Sequence, residues 1–219
     1  MFYVDNEGCI TFTSGACVNS FELEQPIKVL LNQRTVKLFK LFKDDMVKFT
    51  LGYDPISDTL IQTKVSFETP KIKLTAITGS DDTLLASVPV TPIRNRANNT
   101  YAYSLVFNKG ELSDAIARLI LFTEGYGSKQ TLKPYGEFEF NSTGVTVYDP
   151  SKENNEVVKY AGSSSMSDTY RMTLDLKDFK TVLDSCTESV VTLSFGDHKA
   201  AVVSRGNIKN VIPECVSKR

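Results

Sequence analysis

The chain has 219 residues, 41% of them apolar and 23% charged, which suits one large domain or two ordinary ones and argues against global disorder. With 25 basic and 26 acidic side chains the formal net charge is -1, so the protein is not basic all over, although a locally basic surface remains open to it. Four scattered cysteines (Cys9, Cys17, Cys186, Cys215), with no CxxC pair and one histidine, argue against a zinc site and read as buried reduced thiols. No apolar run approaches the ~20 residues of a membrane span, and the acidic start MFYVDNEG does not read as a signal peptide, so no membrane contact and a cytoplasmic location are expected.

Residues 1–27 alternate through GCITFTSGACVNSFELEQP and turn at Ser14-Gly15. They read as the tail of a unit whose own strand and helix do not precede it. Asn32 to Lys43, NQRTVKLFKLFK, places Val36, Leu38, Phe39 and Phe42 on one helical face, and Asp44-Asp45 ends the helix. Opposite that stripe lie Lys37 and Lys40, with Arg34 and Lys43 at the ends. Such an acid-free face suits sequence-independent contact with phosphates; an ordinary solvated face has the same appearance. MVKFTLGYD reads as a strand running into a turn, and IQTKVSFET and KIKLTAIT as two more alternating strands. One helix followed by about three strands is the unit.

TPIRNRANN has no periodicity and carries Pro92, Arg94 and Arg96. Residues 93–100 therefore read as a linker, with 1–92 a first domain incomplete at its N-terminus and 101–219 a complete second one. The second opens on the strand YAYSLVFN and the helix KGELSDAIARLILFTEG, whose Leu112, Ala115, Ile116, Leu119 and Ile120 share a stripe. YGEFEFNSTGVTVYDP is a strand, a turn and a strand, and EVVKYAGS is an edge. YRMTLDL then runs directly into the helix KDFKTVLDSC, with Phe179, Val182, Leu183 and Cys186 inward. SVVTLSFGD repeats the design of MVKFTLGYD, Gly196 falling where Gly52 falls, and KAAVVSR and IKNVIPE complete the sheet. The fold class is α+β, built from repeated helix-plus-antiparallel-sheet units.

Catalytic chemistry finds no foothold. His198 sits in the turn FGDHK with no nucleophile nearby in sequence, and Glu137 and Glu139 alternate with Phe138 and Phe140 on the outer face of a strand. Thr-Gly-Ser-Asp-Asp at 78–82 lacks the spacing of a calcium loop, and GSSSMSD at 162–168 reads as a flexible polar loop. No catalytic residue, metal or cofactor is expected.

The order SLVFNKGELSDAIARLILFT, GEFEFNSTGVTVYDPS, NNEVVKYAG, YRMTLDLKDFKTVLDSC, SVVTLSFGD and NIKNVIPE resembles, element by element, a domain of the DNA sliding clamps, bacterial beta-type and phage T4-type. The first half resembles the later part of the preceding clamp domain. The resemblance implies a ring-forming homo-oligomer, helices on the inner face and sheets outside, that encircles duplex DNA and tethers a polymerase. For a viral protein the compartment would be the host cytoplasm. It implies DNA-facing roles for Arg34, Lys37, Lys40 and Lys43, for Arg118 (beside Asp114), for Lys177 and Lys180 (beside Asp184), and for Lys129 and Lys133 in the loop YGSKQTLK. It also implies a hydrophobic pocket that takes a peptide of the polymerase or clamp loader between the last two domains. Carried over by position, that pocket involves Gly15, Ala16, Cys17, Val18, Pro89, Ile93, Val211, Ile212 and Pro213. Two alternatives stay open: a viral tail or baseplate component, and a monomeric processivity factor.

Overall fold

The computed structural model describes residues 2–5, 7–12, 15–20, 28–31, 33–37, 41, 48–57, 60–78, 85–124, 134–196 and 199–215. The chain divides into two compact units, Met1–Thr13 with Val18–Pro92, and Ser14–Cys17 with Ile93–Arg219.

In the first unit, β1 (Phe2–Asp5) pairs antiparallel with both β2 (Gly8–Phe12) and β4 (Lys28–Leu31). With β3 (Ala16–Ser20), of which Val18–Ser20 belong to this unit, the order is β4-β1-β2-β3. β4 leads into the short helix α1 (Gln33–Lys37). A separate antiparallel sheet follows, β5 (Lys48–Ser57), β6 (Leu60–Glu68) and β7 (Lys73–Thr78). Alternation on β6 buries Val65 and Phe67, which join Val29 and Leu31 of β4, with Val36 of α1 and Phe2 packed at the side. Tyr3 and Leu30, on the opposite face of β1 and β4, bury with Leu85.

The second unit repeats this plan with an added start. The helix α2 (Val90–Asn98) leads from one unit into the other, and β8 (Tyr103–Asn108) runs into α3 (Lys109–Glu124). Asn108 caps α3, its Oδ1 accepting from the Glu111 N–H at 3.3 Å. Leu112, Ala115, Ile116 and Leu119 recur at helical spacing, and all are buried. The next four strands, β9 (Tyr135–Phe140), β10 (Gly144–Tyr148), β11 (Asn155–Lys159) and β12 (Tyr170–Asp175), form a sheet in the order β11-β10-β9-β12. β12 passes with no intervening residue into α4 (Leu176–Ser185), and Asp175 caps that helix by accepting from the N–H groups of Lys177 and Asp178. The last strands, β13 (Val190–Phe195), β14 (Ala200–Arg205) and β15 (Ile208–Pro213), pair in sequence, with β8 beside β13.

Read from its final strand inward, the sheet β12-β9-β10-β11 has the same winding as β4-β1-β2-β3. Each is followed by a helix and three antiparallel strands. Among the described residues the first unit has no counterpart of β8 and α3.

One core closes the second unit. Phe138 and Phe140 on β9 point inward while Glu137 and Glu139 point out, the alternation a half-buried strand requires. Phe140 stacks on Phe195 of β13 with centroids 4.1 Å apart, and Phe138 meets Phe179 of α4 edge-on at 5.4 Å. Gly136 lets α4 begin close to the sheet: a Cβ there would lie 2.4 Å from Leu176 Cδ2. Outside, the carboxylates take cations, Glu139 from Arg171 on the neighbouring strand β12 at 2.6 Å and Glu137 from Lys152 in the turn after β10 at 2.8 Å.

Several expectations need correction. Residues 93–100, read as an aperiodic linker, lie largely within α2. Pro92 falls in its first turn, where a missing N–H is tolerated, and Tyr101 closes its end by donating its hydroxyl to the Arg96 carbonyl at 2.8 Å. β5 runs straight through Gly52, so MVKFTLGYD has no turn there, whereas Gly196 follows β13 at φ 153° against Ala102. Of the four cysteines, none in a disulfide, only Cys186 is buried; Cys9, Cys17 and Cys215 are half-buried. The segment 162–168 is not simply a polar loop, because Met166 is 4% exposed and belongs to the core. The described part of the helix expected at 32–43 is Gln33–Lys37; Lys40 and Lys43 lie outside the described residues, as does most of 78–82.

Tyr160 fastens this loop to the sheet. Its hydroxyl donates in a shared bond to the carbonyls of Asn141 (2.7 Å) and Gly144 (2.8 Å) and lies 3.7 Å from Met166 Sδ. Burial pushes its pKa up to about 12. The unfolded chain, at ~10, ionises first, so this contribution is complete below pH ~10 and is lost as pH rises through that window. Tyr160→Phe is expected to lower stability by about 1 kcal/mol near neutrality. Denaturant unfolding should show the gap between the two proteins narrowing from neutral to strongly alkaline pH.

Candidate nucleic-acid and peptide interfaces

The cations expected to meet phosphates fall into three groups. Arg34 and Lys37 are both on α1, one turn apart, and Lys37 is exposed. Lys40, Lys43, Lys129 and Lys133 lie outside the described residues, as does His198. Arg118, Lys177 and Lys180 lie on α3 and α4, which pack together in the second unit.

Arg118 and Lys180 have partners of defined geometry. Arg118 makes a two-pronged ion pair with Glu156 of β11, Nε to Oε1 at 2.7 Å and Nη2 to Oε2 at 2.9 Å. The hydrogen bond from Arg118 holds the Glu156 carboxyl below its ordinary pKa, and the same bond raises that of Arg118. Lys180 reaches Asp184, four residues on, at 2.6 Å. The other oxygen of Asp184 accepts the Ser113 hydroxyl from α3 at 2.8 Å. These bonds, Lys180 foremost, lower the Asp184 pKa. Lys109 is directed to the Cys186 carbonyl at 3.0 Å, at the end of α4.

The residues expected to receive a peptide divide between the units. Val18, buried, and Pro89, exposed, belong to the first; Gly15, Ala16, Cys17, Ile93, Val211, Ile212 and Pro213 belong to the second. Within the second, Gly15 lies so close to β15 that a Cβ would stand 2.5 Å from the Val211 carbonyl oxygen. Val211 and Ile212 are 5% and 3% exposed, Ile212 belongs to the main core, and Pro213 is exposed. Burial pushes the Cys17 thiol up, with Arg205 opposing and Cys186 adding to the shift. A protonated, half-buried thiol contributes shape here and no nucleophile.

Two polar groups near this strand give little sign of themselves in the sequence. Asn210, 5% exposed on β15, lies opposite Val203 of β14 and on the face of Ile212. Its Nδ2, like the Nε of Arg205, is buried without a hydrogen-bond partner among the described residues. An asparagine in an otherwise apolar alternation is the only sequence signal. Among the described residues no cluster of His, Cys, Asp and Glu could hold a metal, and no described helix is long and apolar enough to cross a membrane.

No protein-family model matches the chain, and no curated protein matches it. Solved structures do. The DNA polymerase sliding clamp of Pseudomonas aeruginosa aligns with a TM-score of 0.73 at 14% identity, over 99% of this chain and 57% of that one. DNA polymerase III subunit beta of Borrelia burgdorferi, in complex with a natural product, gives 0.72 at 13% identity, over 99% and 56%. The beta clamp of Helicobacter pylori, bound to a DNA ligase peptide, gives 0.72 at 11%, over 98% and 56%. What is shared is the fold, and the chain spans a little over half the length of these clamps.

Asn210→Leu, close in volume, is expected to stabilise the protein by about 1 kcal/mol by removing a buried amide nitrogen that has no hydrogen-bond partner among the described residues. Chemical denaturation measures it; a loss of similar size would mean that the amide has a partner.

Proposed function

We propose that this chain, which has the sliding-clamp fold over nearly its whole length, is a polymerase processivity clamp that closes with further copies of itself into a ring around duplex DNA. The observation that carries this reading is the structural match over 98–99% of the chain to clamps from several bacteria. On this reading the protein acts by enclosure and makes or breaks no bond. Phosphate contact is then loose and independent of sequence, with Arg34 and Lys37 of α1 contributing.

Self-association has a candidate surface in the second unit. Among the described residues β11 pairs along Asn155–Lys159 with β10 alone, before Tyr160 bridges to Phe107 of β8, and such an outer strand is a ready template for another chain. Val157 on β11 is 67% exposed, and Leu121 and Phe122 on α3, the helix that packs on β11, are 68% and 47% exposed. Apolar side chains of this size beside an open edge support strand pairing between copies.

The clamp of Helicobacter pylori is bound to a ligase peptide. By analogy, a partner segment of the polymerase or loader would dock here along β15, against Pro213, Val211, Ile93 and the Gly15–Cys17 stretch.

Light scattering with and without nicked circular DNA tests the ring. An oligomer that stays on the closed circle and leaves when the circle is cut is expected; a monomer never retained on DNA overturns the proposal. A monomer bound equally to linear DNA would instead favour a non-ring processivity factor. Leu121→Asp with Val157→Asp should weaken self-association at least about tenfold, roughly 1.4 kcal/mol, with circular dichroism unchanged.

A further inference from the structure

The helices α3 and α4 of the second unit carry cations, yet acids outnumber them. Lys109, Arg118, Lys177 and Lys180 stand against Glu111, Asp114, Glu124, Asp178 and Asp184. Arg118 and Lys180 are furthermore engaged by carboxylates that hold them in fixed geometry. Glu156 uses both oxygens on one guanidinium, and its side chain is only 26% exposed. Both oxygens of Asp184 are also occupied, one by Lys180 and one by Ser113.

We infer that Glu156 and Asp184 set how loosely this face meets duplex DNA, by keeping Arg118 and Lys180 engaged within the protein. The inference rests on the clamp reading above.

A phosphate that drew either cation away from its partner would leave a carboxylate behind, and one that used the cation's remaining donors would meet a charge already balanced. Glu156 would stand unpaired and half-buried between β11 and α3, and Asp184 would keep only the Ser113 hydroxyl. Each abandoned carboxylate would then sit within a Debye length, about 8–10 Å, of the phosphate that displaced it. The exchange gains one ionic contact, loses another and adds a repulsion, so the cations remain where they are. DNA beside this face thus releases few counterions. Since each neutralised phosphate adds ~0.9 to the log–log salt slope, such a face contributes little to that slope. A ring can tolerate this, because linkage rather than affinity keeps the DNA inside. Weak local contact also leaves the duplex free to slide.

The test removes the restraint in the full chain, with Glu156→Gln and Asp184→Asn together. Binding to a short linear duplex is followed by fluorescence anisotropy across a salt titration, with thermal unfolding as the check on folding. The double variant should bind several-fold more tightly at low salt, with a log–log slope steeper by about 1–2. Removing both pairs whole, with Arg118→Gln, Glu156→Gln, Lys180→Gln and Asp184→Asn together, should leave the wild-type slope unchanged, because each pair is already neutral. Glu156→Gln alone should give about half of the steepening.

An unchanged slope in the carboxylate variant would overturn the inference. So would a shallower slope in the pair-deleted variant, which would make Arg118 and Lys180 direct phosphate contacts. If the wild type is never retained on closed circular DNA, the clamp reading itself fails and this inference falls with it. Retention together with either overturning slope rejects the inference alone.

Discussion

The second unit depends on an aromatic seam between its two sheets. Phe140 of β9 stacks on Phe195 of β13, and Phe138 beside it meets Phe179 of α4. A sheet with one wet face must bury the other, and these rings fill the space where two such faces meet. Everything outside follows from the same alternation. With Phe138 and Phe140 turned in, Glu137 and Glu139 must turn out, where Lys152 and Arg171 take them. α4, fixed by Phe179, brings Asp184 to Ser113 of α3. The electrostatic character of the helical face is thus set from inside, by packing.

What could be read from the sequence divides along physical lines. α3 and α4 are legible because each buries a stripe at helical spacing. β9 to β15 are legible because each alternates or is bounded by turn residues. α2 escapes because only Ala97 of its residues is buried, and one small residue makes no period. Gly52 misleads because a glycine marks a turn in β13's neighbourhood but is simply tolerated inside β5. Met166 hides in a run of serines because nothing local signals that its side chain reaches the core.

The cations show the same division between near and far. The Lys180–Asp184 pair, at i and i+4 on a helix, could be foreseen from spacing alone. Arg118 and Glu156 stand 38 residues apart, and only the packing of α3 on β11 joins them. The orphan amide of Asn210 is likewise a property of register, since it depends on which face of β15 the residue occupies. Identities of 11–14% alongside TM-scores of 0.72–0.73 express the same point: the fold asks for apolar residues in the right rhythm, and many sequences supply it.

The junction of β12 and α4 contains no spare residue, Asp175 ending the strand and capping the helix. Such a joint has no compliance. α4 cannot tilt without unpairing β12 from β9 or surrendering the two N–H groups that Asp175 holds. The sheet, the helix and the charges they carry are therefore tied together through this joint. A mechanical load on α4 passes into six residues of antiparallel ladder across β9 and β12, and any bending of the chain under tension is displaced to segments outside this joint.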